Sequence, residues 1–374
     1  MKQAMVFAAG LGTRLRPLTD TMPKALVPVG GQPLLGLLLT KLYRAGFERV
    51  VVNVHHFAEQ IEAYLHAHPF VGMEVLVSDE RDQLLETGGG LRRALPLLDP
   101  DSPVLVHNVD IISNLDLNAF WSEGVAQVEA GAAAMLLVSE RETSRYFLFD
   151  ANHCLRGWKN VKTDELKTFE TELPATRPLA FSGIHLVGPQ AFPLLANWPD
   201  RFGIVDFYLQ TAPKYPIVAC EREGVRMLDV GKVDSLEQAD VLVKELVSQE
   251  KVSQAVALFK SGCTCSQAVF LAYAEDFGLS REAALALSSS FSGGVARTGE
   301  LCGAVSGMLM VLGMKYPIQP GNPMSKQENF KRVQEAMAAF RQAMGAVRCD
   351  ELLQSRKGPC AECVACAANL CAKI

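Results

Sequence analysis

The stretch FAAGLGTRLRPLTDTMPK, residues 7–24, decides how the first half of the chain is read. It follows an apolar run that reads as a strand, and its glycines let backbone N–H groups approach an anion closely. No Lys-Ser/Thr follows at the spacing of a Walker loop. Leu15 stands where the third glycine of a dinucleotide fingerprint belongs. The stretch instead supplies cations, Arg14 inside the loop and Lys24 in the following Pro-Lys pair. Fixed donors with two cations suit a triphosphate whose leaving group must be stabilised. Solvated surface positions are the alternative for both cations.

The first 240 residues alternate apolar runs with amphipathic stretches. QAMVFAA, RVVVNV, MEVLVS, PVLVHNVD, AAAMLLVS and LAFSGIHLV predict strands, several apolar throughout and so buried on both faces. PLLGLLLTKLYRAG and FAEQIEAYLHAH have helical spacing. This alternation predicts a doubly wound, Rossmann-like α/β sheet sandwiched by helices, with ligands at the carboxyl ends of the strands. Nucleotidyl transfer also calls for a divalent metal held by carboxylates. Asp110 in VLVHNVD and Asp229 in RMLDVGK close predicted strands. Each alone reads as a strand-end turn residue; beside an anion loop the pair reads as metal ligands.

With ETGGG (86–90), FSGI (181–184) and DVG (229–231) added, the ordered motifs resemble the sugar-phosphate nucleotidyltransferase family over roughly residues 1–245. The ETGGG and FSGI wording is most similar to bacterial N-acetylmuramate-1-phosphate uridylyltransferases of cell-wall recycling. The resemblance implies in-line attack of a sugar 1-phosphate on the α-phosphorus of an NTP, with UTP the expected donor and pyrophosphate released. It implies Ala9, Gly10, Gly12 and Thr13 around the nucleotide, Arg14 at the departing pyrophosphate and Lys24 at the α-phosphate. Thr87 and Gly88 lie against the base, Asn108 and Gly183 face the sugar, and Asp110 and Asp229 hold Mg2+. A strand-end hydrogen bond or a simple turn accounts equally for Asn108 and Gly183. Glu86 reads as a cap for the helix beginning at the triple glycine.

Some residues depart from the family pattern. Leu228 and Lys232 flank the Asp-Val-Gly where an aromatic residue and Thr are common, and Lys159 in GWKN is the one substitute for a midway Glu-Lys pair. A snorkelling surface lysine accounts for Lys159 as well. These departures leave open mannose-1-phosphate guanylyltransferase or glucose-1-phosphate thymidylyltransferase chemistry. A non-catalytic nucleotide-sugar sensor fits less well, because the loop cations and both carboxylates are present.

Past residue 250 the composition changes. Eight of ten cysteines fall between Cys263 and Cys371, and the chain reads as helical. Two domains follow, 1–247 and a smaller all-α cysteine-rich domain, 252–374. SQEK (248–251) breaks the apolar phase between them, predicting two helices or one bent helix. CSQAVFLAYAEDFGL, ELCGAVSGMLMVLGMKY, VRCDELL and the tail resemble the family described as redox-active and named for its C_GCAxxG_C_C pattern. The resemblance groups Cys265, Cys302, Cys349 and Cys360; a redox couple, an iron–sulfur cluster and zinc all stay open. A tail helix starting at Pro359 would put Cys360 at its N-terminus, favouring thiolate, with Cys363 one turn on. Cys371 would then lie about 16 Å further along the axis, so the tail cysteines cannot close one metal site alone. Cys263, Cys366 and Cys371 read equally well as buried apolar residues.

The formal charge of −5 and the absence of a Lys/Arg run argue against nucleic-acid binding. The apolar window 301–314 is too short to span a bilayer. The expected partners are an NTP and a sugar 1-phosphate, and the expected compartment is the cytoplasm.

Overall fold

Runs of Val, Leu, Met and Ala build one ten-stranded sheet. The computed structural model describes residues 1–355 and 360–374, in two compact units, Met1–Asp240 and Val241–Ile374. In the first, β1 (Gln3–Phe7), β2 (Arg49–Val54), β3 (Glu74–Asp79) and β4 (Val104–Asn108) form a parallel half, in the order β3-β2-β1-β4. Met5, Val51 and Val106, at the centre of these strands, have no solvent exposure. Helices α1 (Leu34–Arg44), α2 (Ala58–Ala67) and α3 (Glu86–Ala94) make the crossovers. In α1, Leu34, Leu35, Leu38, Leu39 and Leu42 are buried while Lys41 and Arg44 close the last turn. Cations there complement the carbonyl end of the helix dipole.

Beyond α4 (Leu117–Glu129) the sheet becomes mixed, with β5 (Ala134–Ser139), β6 (Arg145–Phe149), β7 (Leu155–Asn160), β8 (Glu165–Thr168), β9 (Arg177–Val187) and β10 (Ile217–Glu221). The long β9 runs antiparallel to β4, β5 and β6, so it ties the parallel half to a meander β6-β7-β8. The sheet is therefore not parallel throughout, as simple double winding implies. Phe147, Phe149, Phe207 and Tyr208 fill the core between this half and α5 (Ile204–Thr211).

Helix α6 (Leu236–Lys260) is a single helix that runs through the boundary between the units. The SQEK interruption does not end it, because Ser248 and Lys251 are buried and paired while Gln249 and Glu250 face solvent. Ser248 Oγ donates to Asn369 Oδ1 at 2.8 Å, and Lys251 Nζ donates to Ala272 O at 2.8 Å and pairs with Asp276. The second unit adds α7 (Cys265–Ala274), α8 (Arg281–Ser288), α9 (Gly303–Lys315), α10 (Pro323–Met344), α11 (Cys349–Ser355) and α12 (Cys360–Lys373). Val269, Phe270, Val305, Met308, Phe340, Val364 and Ala368 form its core. Tyr273 Oη donates to Ala368 O at 2.7 Å, pinning α7 to α12 inside that core. Thr264 and Gln267 cap α7 reciprocally, which fixes where Cys265 enters the helix. Among the described residues no helix is long and apolar enough to cross a membrane.

Candidate active site

Register sets the site. Phe7, the last residue of β1, is level with Asn53 on one side and Asn108 on the other. The glycine-rich loop thus leaves the sheet between two asparagines, at the carboxyl ends of parallel strands. Asn53 Oδ1 accepts from the N–H groups of Ala8 at 2.7 Å and Ala9 at 3.2 Å. Gly12 is left-handed at φ 62°, and a Cβ there would lie 2.9 Å from the Thr19 methyl. Thr19 Oγ1 donates to Gly12 O at 2.8 Å and closes the loop.

The two aspartates meet through a short antiparallel ladder. Met227–Asp229 pairs with Ile111–Ser113, so Asp229 is level with Ile111, and the Val230 N–H donates to Asp110 O at 2.8 Å. Lys24 is 8% exposed, and its Nζ forms an ion pair with Asp110 Oδ2. Surface solvation is therefore not the state of Lys24. The Asp229 carboxyl is held above the usual carboxylate range, first by surrounding protein and then by the negative charge of Asp110. Lys24, Arg14 and Arg141 oppose that shift. A Cβ on Gly231 would lie 2.9 Å from Arg14 Nη2 and 2.7 Å from Asp229 Oδ1, which places Arg14 beside the acidic pair.

Ala9, Gly10, Gly12, Thr13, Arg14, Lys24, Thr87, Asn108 and Asp110 line one cavity of about 440 Å³. Asp229, Gly88 and Gly183 stand outside its lining. Gly183 still shapes it: at φ 72° beside the bulge in β9, a Cβ would lie 2.6 Å from Asn108 Nδ2. Gly88 does not fit the expectation of a backbone group turned to the base. Its N–H donates to Phe202 O at 2.9 Å, and a Cβ there would meet the Phe202 ring at 2.2 Å. Thr87 Oγ1 accepts from the Ile204 N–H at 3.0 Å. Glu86 is the first residue of α3, at φ 63°, instead of a cap preceding it, and its carboxylate pairs with Arg201 at 3.1 Å. Lys159 pairs with Asp164 at 3.3 Å on β7, a strand paired on both sides, and stands outside the cavity lining.

In the second unit all the cysteines are free thiols. Cys302 is the N-cap of α9, 6% exposed, and shares the buried core of this unit with Cys363, which is 7% exposed. The neighbouring Cys363 thiol first, then the Val305 and Ala304 N–H groups, hold the Cys302 thiol below the ordinary range against the effect of burial. Burial pushes Cys265 up, Cys349 up to about 11 and Cys371 up to about 12. The thiol drawn down thus sits at the start of α9. Pro359 lies outside the described residues, and α12 begins at Cys360. Among the described residues no group of three or more His, Cys, Asp or Glu side chains is arranged to hold a metal ion.

Residues 3–245 match the family model "Nucleotidyl transferase". The chain belongs to the nucleotidyl transferase family. Residues 263–374 match the family model "Putative redox-active protein (C_GCAxxG_C_C)". The chain is 38% identical over 234 residues to the N-acetylmuramate alpha-1-phosphate uridylyltransferase of Caulobacter vibrioides, covering 60% of this chain and 90% of that one. It is 35% identical over 241 residues to the enzyme of the same name from Neisseria meningitidis serogroup B, covering 64% and 97%. Among solved structures it resembles UDP-glucose pyrophosphorylase from Acinetobacter baumanii, with TM-score 0.52, 18% identity and coverage of 64% and 92%. That likeness bears on the fold alone. The protein is a nucleotidyltransferase of the sugar-1-phosphate class.

Two residues of this nucleotidyltransferase site escape a motif reading. Glu80, 2% exposed, accepts from Asn53 Nδ2 at 2.7 Å through Oε1 and from the Leu85 N–H at 3.2 Å through Oε2. Asn53 and Glu80 therefore join the phosphate loop to the segment that enters α3. Their signal in the sequence was a single Asn in the apolar run RVVVNV and a single Glu after another apolar run.

Proposed function

We propose that the first unit transfers a uridylyl group from UTP to N-acetylmuramate 1-phosphate. The observation that carries the reading is the cavity in which the loop donors, Arg14, Lys24, Thr87, Asn108 and Asp110 converge. The two relatives named for this reaction, matched over 90% and 97% of their length, support the choice of substrates.

In this reading a phosphate oxygen of the sugar 1-phosphate attacks the α-phosphorus, the bond from that phosphorus to the bridging oxygen breaks, and pyrophosphate departs. No covalent enzyme intermediate is required, so the protein acts by positioning and by charge. Backbone N–H groups around Gly10 and Gly12, with Thr13, hold the phosphates. Arg14 meets the departing pyrophosphate. Lys24, nearly buried and already turned to the site by Asp110, balances charge at the α-phosphate. Thr87 lines the base side, Gly88 acts by packing against Phe202, and Asn108 faces the sugar with Gly183 behind it.

Asp110 and Asp229 are the residues that would hold Mg2+. The site fits such an ion, because Asp229 is raised first by burial and then by the negative charge of Asp110, and a cation between them relieves that repulsion. When bound, Mg2+ supplies charge neutralisation at the phosphates. A reaction that consumes a nucleoside triphosphate supports the cytoplasm as its compartment.

Pyrophosphate release by Asp110→Ala tests this assignment. We expect turnover to fall to background at all Mg2+ concentrations while the protein stays folded by circular dichroism. Retained turnover would remove Asp110 as a metal ligand.

A further inference from the structure

The acceptor side of the first unit carries a cation that lies outside the family motifs. Strand β5 ends at Ser139, and the Arg141 N–H donates back to Ser139 O at 3.1 Å. The partner strand β9 is bulged at this point. Phe181 pairs with Val138 and His185 with Leu136, so Leu137 alone spans Ser182, Gly183 and Ile184. At the edge of the bulge the Arg141 guanidinium donates from Nη2 to Phe181 O at 3.0 Å. Within the bulge Gly183 approaches Asn108. Arg141 and Asn108 thus meet the same irregular segment of β9.

Among the described residues no carboxylate lies within ion-pair distance of Arg141. The adjacent Glu140 is turned instead to Arg177 at 2.6 Å, and Arg177 also takes Glu221. The charge of Arg141 still reaches Asp229, although Arg141 stands outside the cavity lining. The reacting phosphates have their own partners in the loop N–H groups, Arg14 and Lys24. Surface arginines are commonly solvated, but this one is anchored through its backbone and through Nη2. Such anchoring lowers the entropy lost when a ligand is bound. With one N–H on a neutral carbonyl, the guanidinium keeps the rest of its planar fork for an anion, and a carboxylate fits that fork bidentately.

We propose that Arg141 binds the lactyl carboxylate of N-acetylmuramate 1-phosphate and so selects an acidic sugar 1-phosphate as acceptor. The inference rests on the function proposed above and names the residue that reads the acceptor. Glucose, mannose and N-acetylglucosamine 1-phosphates carry no carboxylate, so each leaves the guanidinium without its anion. A missing polar partner separates two substrates more sharply than a missing methylene does.

The experiment measures pyrophosphate release from UTP and N-acetylmuramate 1-phosphate in wild type, Arg141→Ala, Arg141→Gln and Arg141→Lys. N-acetylglucosamine 1-phosphate, which lacks only the lactyl ether, is measured beside it as substrate or competitive inhibitor. We expect Arg141→Ala and Arg141→Gln to raise KM for N-acetylmuramate 1-phosphate about tenfold. KM for UTP and the constant for N-acetylglucosamine 1-phosphate should stay as in wild type. Arg141→Lys should recover part of the loss, because it restores the charge without the fork. Glutamine can still donate to Phe181 O, so a loss in the alanine variant alone would assign Arg141 to holding the bulge and overturn the proposal. Equal losses for the two sugars, or no loss for either, would overturn it as well. No release by wild type from N-acetylmuramate 1-phosphate would instead refute the function itself, and the inference with it.

Discussion

Asn53 and Glu80 are hydrogen-bonded to each other at 2.7 Å in the wall of the nucleotide cavity, and through them the phosphate loop is tied to the start of α3. Asn53 spends its carbonyl on two loop N–H groups and its amide on Glu80, so it is used from both ends. Asn53→Ala would leave the Ala8 and Ala9 N–H groups without their acceptor, at a cost of about 1–3 kcal/mol for each buried group left unpaired. The loop would lose its fixed position before the protein lost its fold. We expect KM for the nucleotide to rise about tenfold or more, the counterpart of about 1.4 kcal/mol, with a smaller change in KM for the sugar phosphate. Steady-state kinetics with each substrate varied separately checks this. Equal increases in both KM values would show that the residue is merely structural.

Glu80 adds a pH dependence. Burial raises its carboxyl above the usual range against the pull of its hydrogen bonds to Asn53 and Leu85. Between the ordinary carboxylate pKa and the raised one, the folded state binds more protons than the unfolded state. Stability from this group is therefore present at low pH and falls as pH rises through that window. Glu80→Gln removes the titration. The Tm of wild type minus that of the variant should decline as pH rises through the same window, whichever protein is the more stable overall. A difference independent of pH would contradict the assignment.

Two buried imidazoles act in the opposite sense. His107 and His185 are 1% and 2% exposed, and burial pushes both down to about 3. His107 Nδ1 donates to Asn108 O at 2.8 Å, and His185 Nδ1 shares a hydrogen bond with Tyr208 Oη at 2.9 Å, while burial keeps both rings neutral in the fold. The unfolded chain binds protons near pH 6.5 that the folded chain refuses. Stability is thus complete above that pH and is lost as pH falls towards 3. Thermal unfolding from pH 7 to pH 5 should show Tm falling, with a shallower fall in His185→Gln. Parallel slopes would show that other groups govern the acid limb.

Gly183→Ala tests the acceptor side. The left-handed backbone and the 2.6 Å approach to Asn108 Nδ2 mean that the methyl group either strains the strand or displaces Asn108. We expect a loss of about 1–3 kcal/mol in stability from the strain. We also expect a raised KM for the sugar phosphate with little change for the nucleotide. An unchanged sugar-phosphate KM would separate Asn108 from the acceptor.

The parts of the fold and site that were legible in the sequence are those with short-range signals. Apolar runs gave β1 to β5 and β9, and the loop cations and the aspartates at strand ends announced themselves by position. The meander was not legible. Glu165–Thr168 is nearly all exposed and Leu155–Asn160 has no clean alternation, so pairing with neighbours, not pattern, makes these strands. Helix α6 looked broken because Ser248 and Lys251 are polar, and only their partners on distant helices explain why they are inside. Gly88 carries a motif signature, yet its contact is the ring of Phe202, far along the chain. That Cys363 shares its core with Cys302 was hidden for the same reason, since spacing along α12 groups Cys363 with Cys360.

Pyrophosphate release shows which substrates enter the cavity. The assay crosses UTP, GTP and TTP with N-acetylmuramate, glucose and mannose 1-phosphates, with and without Mg2+. We expect the highest kcat/KM for UTP with N-acetylmuramate 1-phosphate and no release without the metal. A higher value for GTP with mannose 1-phosphate would contradict the substrates, and no release from any pair would contradict catalysis itself.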